Sequence, residues 1–200
     1  MSLASRLYGK LALLPTGKKL KTKTANDFFV VESGEPANSV VIAGMGRLGQ
    51  NIARGLQDAG IPFTVIEIDP KVIFELRCEG TACIYGDAGN VHVLSKADLT
   101  QAKVLVVTFP DPLAVLTSVK VALAINRKLK IVTRVHRTRE AEALRKLGVE
   151  EMISPEYEAS LEFIRRILSV LGWRKTNIKQ TLSTVRQDQD IAEFSADEEA

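Results

Sequence analysis

The sequence predicts an α/β fold, a doubly wound parallel sheet of six strands in the order 3-2-1-4-5-6 with helices on both faces. Three observations carry this. From Ser39 to about Ile153, short apolar β-branched runs alternate strictly with helical stretches, the pattern of right-handed βαβ crossovers between strands buried on both faces. The first run, Val40–Ala43, leads straight into Gly44-Met45-Gly46-Arg47-Leu48-Gly49, a G-x-G-x-x-G turn, and Gln50 to Ala59 can continue as a helix. The second run carries Glu67 at its end, 23 positions beyond Gly44, where the ribose-binding acid of a dinucleotide or adenosine site belongs.

Each element has its own justification. Strands are expected over Val40–Ala43, Phe63–Ile68, Ala82–Tyr85, Val104–Thr108, Ile131–Val135 and, weakly patterned, Glu151–Ile153. Asp69-Pro70 and Asp111-Pro112 pair an N-cap acid with a proline at the first helical position. With the fingerprint on the first strand the topology is Rossmann-like, and the ligand cleft falls at the switch point beside strand 1. Ser154-Pro155 caps the last helix, which runs to about Leu171. On it Tyr157, Leu161, Ile164, Leu168 and Leu171 form one stripe, with Phe163, Ile167 and Val170 on the adjacent flank. Such a face covers close to half the circumference, wider than one packing surface requires, and suits a helix that also buries a partner.

The ends differ from the middle. Residues 1–26 hold six basic residues and no acid, and Leu3, Leu7, Leu11 and Leu14 sit at helical spacing before Pro15. Residues 1–38 read as a basic linker or N-terminal arm, and such an arm either binds anionic surfaces or is simply solvated. Residues 39–173 form the domain, and residues 174–200, with six acids against four bases, read as a polar acidic tail that frays.

Composition narrows the classes of function. Two hundred residues, 46% hydrophobic and 26% charged, make one soluble domain with appendages. Cys78 and Cys83 are the only cysteines; they form neither a zinc spacing nor a disulfide framework, fit a reducing compartment, and read as small apolar fillers. No uncharged apolar run reaches the roughly 18 residues of a membrane span.

The candidate site is assembled from residues that these strands deliver to one edge. Gly44 makes the tight turn, Gly46 lets the backbone approach a phosphate, and Gly49 lets helix and strand pack closely; Met45 and Leu48 complete the loop. Arg47 either sits over the phosphates as a bidentate cation or is an exposed helix residue. Glu67, followed by Ile68, can accept both ribose hydroxyls, and its charge repels a 2′-phosphate, favouring NAD or an adenosine nucleotide over NADP. Asp87, with Ala88 after it, either accepts from an adenine amino group or stabilises a turn. Thr108 and Arg134 end strands 4 and 5 and either reach the cleft or serve packing and surface. His92 and His136 have no acid or cysteine beside them in sequence and receive no catalytic role.

The ordered set VVIAGMGRLGQNIARGL, VIEIDP, YGDA, VVTFPDP and LGVEEMISPE resembles the RCK domain, also called KTN or TrkA-N, the nucleotide-sensing module of potassium channels, Trk/Ktr uptake systems and Kef-type potassium/proton antiporters. The resemblance spans residues 39–173. It implies that Gly44, Gly46, Arg47, Gly49, Glu67 and Asp87 line a site for NAD(H) or AMP, ADP or ATP, with Glu67 standing where the family usually has aspartate. It implies that the helix 155–171 crosses to a second copy, making a homodimer. A domain ending at such a helix is most similar to the cytoplasmic tail of a Kef-type antiporter, at the inner face of the membrane, gating transport of potassium or another monovalent cation. No enzyme activity is expected, since neither a substrate domain nor an acid/base pair is present. The alternatives are an NAD-dependent oxidoreductase and a Rossmann-like S-adenosylmethionine methyltransferase, the second lacking its catalytic motif after strand 4, where Phe109-Pro110-Asp111-Pro112 stands. Nucleic acid is not an expected partner, because the basic arm lacks interleaved aromatics and a recognition helix.

Overall fold

In the computed structural model, which describes residues 40–195, six parallel strands form one sheet in the order β3-β2-β1-β4-β5-β6. They are β1 (Val40–Ala43), β2 (Phe63–Glu67), β3 (Cys83–Tyr85), β4 (Val104–Val107), β5 (Lys130–Arg134) and β6 (Glu151–Ile153). Ala43 pairs with Ile66 on one side and Val107 on the other, so the C-terminal ends of β1, β2 and β4 come level at the switch point. The basic arm and its leucine spacing lie outside the described residues.

Alternation along each strand sorts the core into two layers. Val41 and Ala43 face one side, with Leu105, Val107 and Ile131. This layer is covered by α3 (Val91–Lys96), α4 (Pro112–Ile125) and α5 (Thr138–Arg145). Val40 and Ile42 face the other, with Val65 and Val106, beneath α1 (Arg47–Asp58) and α2 (Pro70–Cys78). Burial on both faces is why the strands read as continuous apolar runs. Both Asp-Pro signals act as expected: Asp69 Oδ1 accepts from Lys71 N at 2.8 Å and Asp111 Oδ1 from Ala114 N at 2.7 Å. Helix α1 starts three residues before Gln50, because the Gln50 N–H already donates to the Gly46 carbonyl at 2.9 Å. Cys83 is buried as a filler should be, but Cys78 is exposed.

Two helices end the described chain, α6 (Pro155–Val170) and α7 (Lys175–Ser195). Residues Lys175–Ser195 are therefore helical, where their polarity suggests a frayed tail. Ile178, Leu182 and Val185 recur at helical spacing; Ile178 is buried and the other two half-buried. This narrow apolar line packs α7 on α6. Tyr157 Oη donates to the Val185 carbonyl at 3.1 Å, and Arg186 lies 3.5 Å from Glu158. The first stripe of α6 is accordingly shielded, with Leu161 buried and Tyr157, Ile164 and Leu168 half-buried, though Leu171 stays open. The flank is bare: Phe163, Ile167 and Val170 are 69%, 55% and 87% exposed. Beside it the Glu162 carboxyl, hydrogen-bonded by Arg165 and Arg166, is held down to about 2 and stays ionised.

Candidate functional site

A cleft of about 710 Å³ opens at the C-terminal ends of the central strands. Its base is the glycine turn. Gly44 has φ +98°, a conformation open to glycine, and a Cβ there would stand 2.7 Å from Thr108 Oγ1. At Gly46 a Cβ would meet nothing within 4 Å, because that backbone faces the open cleft. The N-terminus of α1 at Gly46 has no side-chain cap and no acid in its first turn. Helices α2, α3, α4 and α6, by contrast, are capped by Asp69, Asn90, Asp111 and Ser154. The positive end of α1 is thus left facing the cleft with its N–H groups unshielded.

Glu67 does more than stand at the end of β2. Its carboxylate accepts from Met45 N on one oxygen, and from Ile68 N at 2.6 Å and Asp69 N at 2.9 Å on the other. These three bonds tie the glycine turn to the start of α2. A carboxylate has about four acceptor sites, so most of this one is spent within the protein and the remaining capacity faces the cleft.

Of the residues expected at the site, Gly44, Gly46, Arg47 and Leu48 line the cleft, as do Glu67, Ile68, Asp87, Ala88, Thr108 and Arg134. Two do not. Met45 is buried on the far side, contributing only its backbone N–H to Glu67. Gly49 is buried under the turn, where a Cβ would come 2.2 Å from the Gly44 carbonyl oxygen, so helix and turn pack closely there. Asp87 and Thr108 line the cleft and also support the backbone around it. Asp87 Oδ1 accepts from Gly89 N at 2.8 Å, bracing the turn after β3. Thr108 Oγ1 lies 2.9 Å from Gly44 O and 3.2 Å from Ala43 O, which commits its proton to the glycine turn. Arg47 is exposed at the mouth.

Arg134 reaches the cleft wall. Its NH1 donates to Thr108 O at 3.4 Å and its NH2 to Glu156 Oε1 at 3.5 Å, while Nε is buried with no partner. His136 is less isolated than its sequence neighbours suggest, since pairing of β5 with β6 brings Glu156 Oε1 to 3.3 Å from its Nδ1.

The loop after β4 and the start of α4 supply lining that sequence reasoning missed, Phe109, Pro110, Asp111 and Ala114, and Gly86 lines the cleft as well. The available signal was position, because loops beside strand 1 border the switch point whatever their residue types. Among the described residues no group of three or more His, Cys, Asp or Glu could hold a metal ion, and no helix is long and apolar enough to cross a membrane.

The sequence profile of the TrkA-N domain matches residues 40–155. Among curated proteins the chain is 35% identical over 141 residues to the glutathione-regulated potassium-efflux system protein KefC of Enterobacter sp. (strain 638), covering 70% of this chain and 23% of that protein. The chain spans about a quarter of the length of the curated relatives it matches. Among solved structures it is similar to the Shewanella denitrificans Kef CTD in AMP-bound form, at 27% identity and a TM-score of 0.71, covering 79% of this chain and 96% of that one. It is also similar to the TrkA-N domain of the inner membrane protein ybaL from Escherichia coli, at 28% identity and a TM-score of 0.62, covering 68% and 98%.

Proposed function

Because this chain belongs to the TrkA-N domain family, we propose that it is a nucleotide-sensing regulatory domain which binds an adenosine nucleotide or NAD(H) and so gates a membrane transporter of potassium or another monovalent cation. The observation that carries this reading is the juxtaposition of the uncapped α1 N-terminus with the pinned Glu67 carboxylate in one cleft. One end of the site suits a phosphate, and the other suits the hydroxyls of a ribose. The AMP-bound state of the Shewanella Kef CTD supports the ligand class, and the likeness to KefC supports a potassium transporter as the partner. In this reading the domain lies at the cytoplasmic face of the membrane and senses rather than catalyses. A second copy covers the bare α6 flank of Phe163, Ile167 and Val170.

Calorimetric titration with AMP, ADP, ATP, NAD+ and NADH tests the proposal. Binding of at least one is expected, and Glu67→Ala should weaken it by about 1.5–3 kcal/mol, the usual loss for charge-assisted hydrogen bonds. Failure of all five to bind, with S-adenosylmethionine binding instead, would overturn it in favour of the methyltransferase. Turnover of a carbonyl substrate with NADH would overturn it in favour of the oxidoreductase.

A further inference from the structure

Arg134 stands where two cavities meet. It lines the cleft and also a smaller cavity of about 300 Å³ between α4 and α5. It is the last residue of β5, it pairs with Ile153 of β6, and α6 begins two residues after Ile153. Its side chain is 17% exposed yet poorly satisfied: two contacts lie at the long limit of hydrogen bonding, at 3.4 and 3.5 Å, and Nε has no partner. A guanidinium has five N–H donors in a rigid fork, so this one holds unused donors in a place where leaving them unpaired is costly.

Its acidic partner is in the opposite position. Glu156, the second residue of α6, is 61% exposed, and its Oε1 has His136 Nδ1 at 3.3 Å as a second neighbour. Glu156 can lose Arg134 to solvent and His136 without being stranded. Arg134, its side chain only 17% exposed, would lose its carboxylate partner with Glu156, and another anion would satisfy it better than none. The link on its other side runs into the glycine turn, because Thr108, whose carbonyl accepts from Arg134, also places its hydroxyl 2.9 Å from Gly44 O.

We infer that Arg134 is a coupling residue: the phosphate of a nucleotide in the cleft takes over its guanidinium from Glu156, and the first turn of α6 is thereby released from the end of β5. The inference rests on the nucleotide reading of the cleft. A phosphate offers several charged oxygens to the arginine fork where Glu156 offers one oxygen at 3.5 Å. Linkage makes the effect reciprocal. If AMP weakens the Arg134–Glu156 contact, removing Glu156 must strengthen AMP binding by the same factor.

The experiment measures AMP affinity and amide hydrogen exchange together on the full chain. Glu156→Gln should bind AMP about two- to fivefold more tightly than the unaltered protein, the range an exposed ion pair can transmit. AMP should speed exchange at the amides of residues 157–160 in the unaltered protein, and in Glu156→Gln exchange there should already be fast without ligand. Arg134→Lys, which keeps charge but loses the fork, should weaken AMP roughly tenfold. In an Arg134→Gln background, Glu156→Gln should change nothing. Normal AMP binding with unchanged affinity in Glu156→Gln, or with unchanged exchange in α6, would overturn the coupling and leave the nucleotide site standing. No AMP binding by a folded unaltered protein would overturn the coupling together with an AMP-type ligand for the cleft.

Discussion

Gly46 and Gly49, three residues apart, should answer the same substitution in opposite ways. An alanine at 49 drives its Cβ to within 2.2 Å of a backbone oxygen of Gly44, which no rotamer change can relieve, so α1 must lift off β1. Gly49→Ala should cost at least about 1–3 kcal/mol of stability in urea unfolding, the range for overpacking a close contact. Gly46 has φ −64° and open space at the Cβ position. Gly46→Ala should change stability by less than about 1 kcal/mol while lowering nucleotide affinity, because a methyl group then stands between the α1 N–H groups and a phosphate. Equal loss of stability in both variants would contradict this division of labour. The residue types of the site were legible because only glycine and an acid meet those demands. The fate of Glu67's lone pairs was not, since it depends on how the end of β2 meets a loop 22 residues away. The Phe109–Asp111 wall carried no residue-type signal.

At the scale of elements, α6 and α7 depend on each other. Leu161, Ile164 and Leu168 are shielded alongside α7, whose apolar line among the residues with described side chains is Ile178, Leu182 and Val185 within a polar run. So sparse a pattern reads as solvated chain, which is why the helix was not legible, whereas α2, α4 and α6 announced themselves through Asp-Pro and Ser-Pro caps. Ending the chain at Trp173 should uncover the first stripe of α6. The expected outcome is a loss of helical circular dichroism beyond the 21 residues of α7, or self-association through the opened stripe, because a lone helix of this length is marginal in water. A shortened chain that kept α6 intact and monomeric would show that α7 does not support it.

For the molecule as a whole, the alternation of strands and helices with the fingerprint on the first strand made the sheet order legible, because right-handed crossovers leave few other arrangements. Which side of α6 is free was not legible, since the choice was made by α7. That decides which residues can test assembly. Ile164 and Leu168 are half-buried, so changing them disturbs the chain's own packing; Phe163 and Ile167 are exposed. Phe163→Asp with Ile167→Asp should give a folded monomer where the unaltered protein sediments as a dimer, each side chain contributing roughly 1.5–3 kcal/mol when fully covered. An unaltered protein that stays monomeric at high micromolar concentration would remove the interface. The two borders of the sheet bear on the same question from another direction. Strands β3 and β6 are three residues each, too short to serve as a template on which a neighbour's backbone could extend the ladder. Growth by strand addition, the route by which exposed sheets polymerise without limit, is thereby disfavoured at both edges. Among the described residues, helices offer the other surfaces for contact between copies, and such contact can end in a closed pair instead of an open fibre.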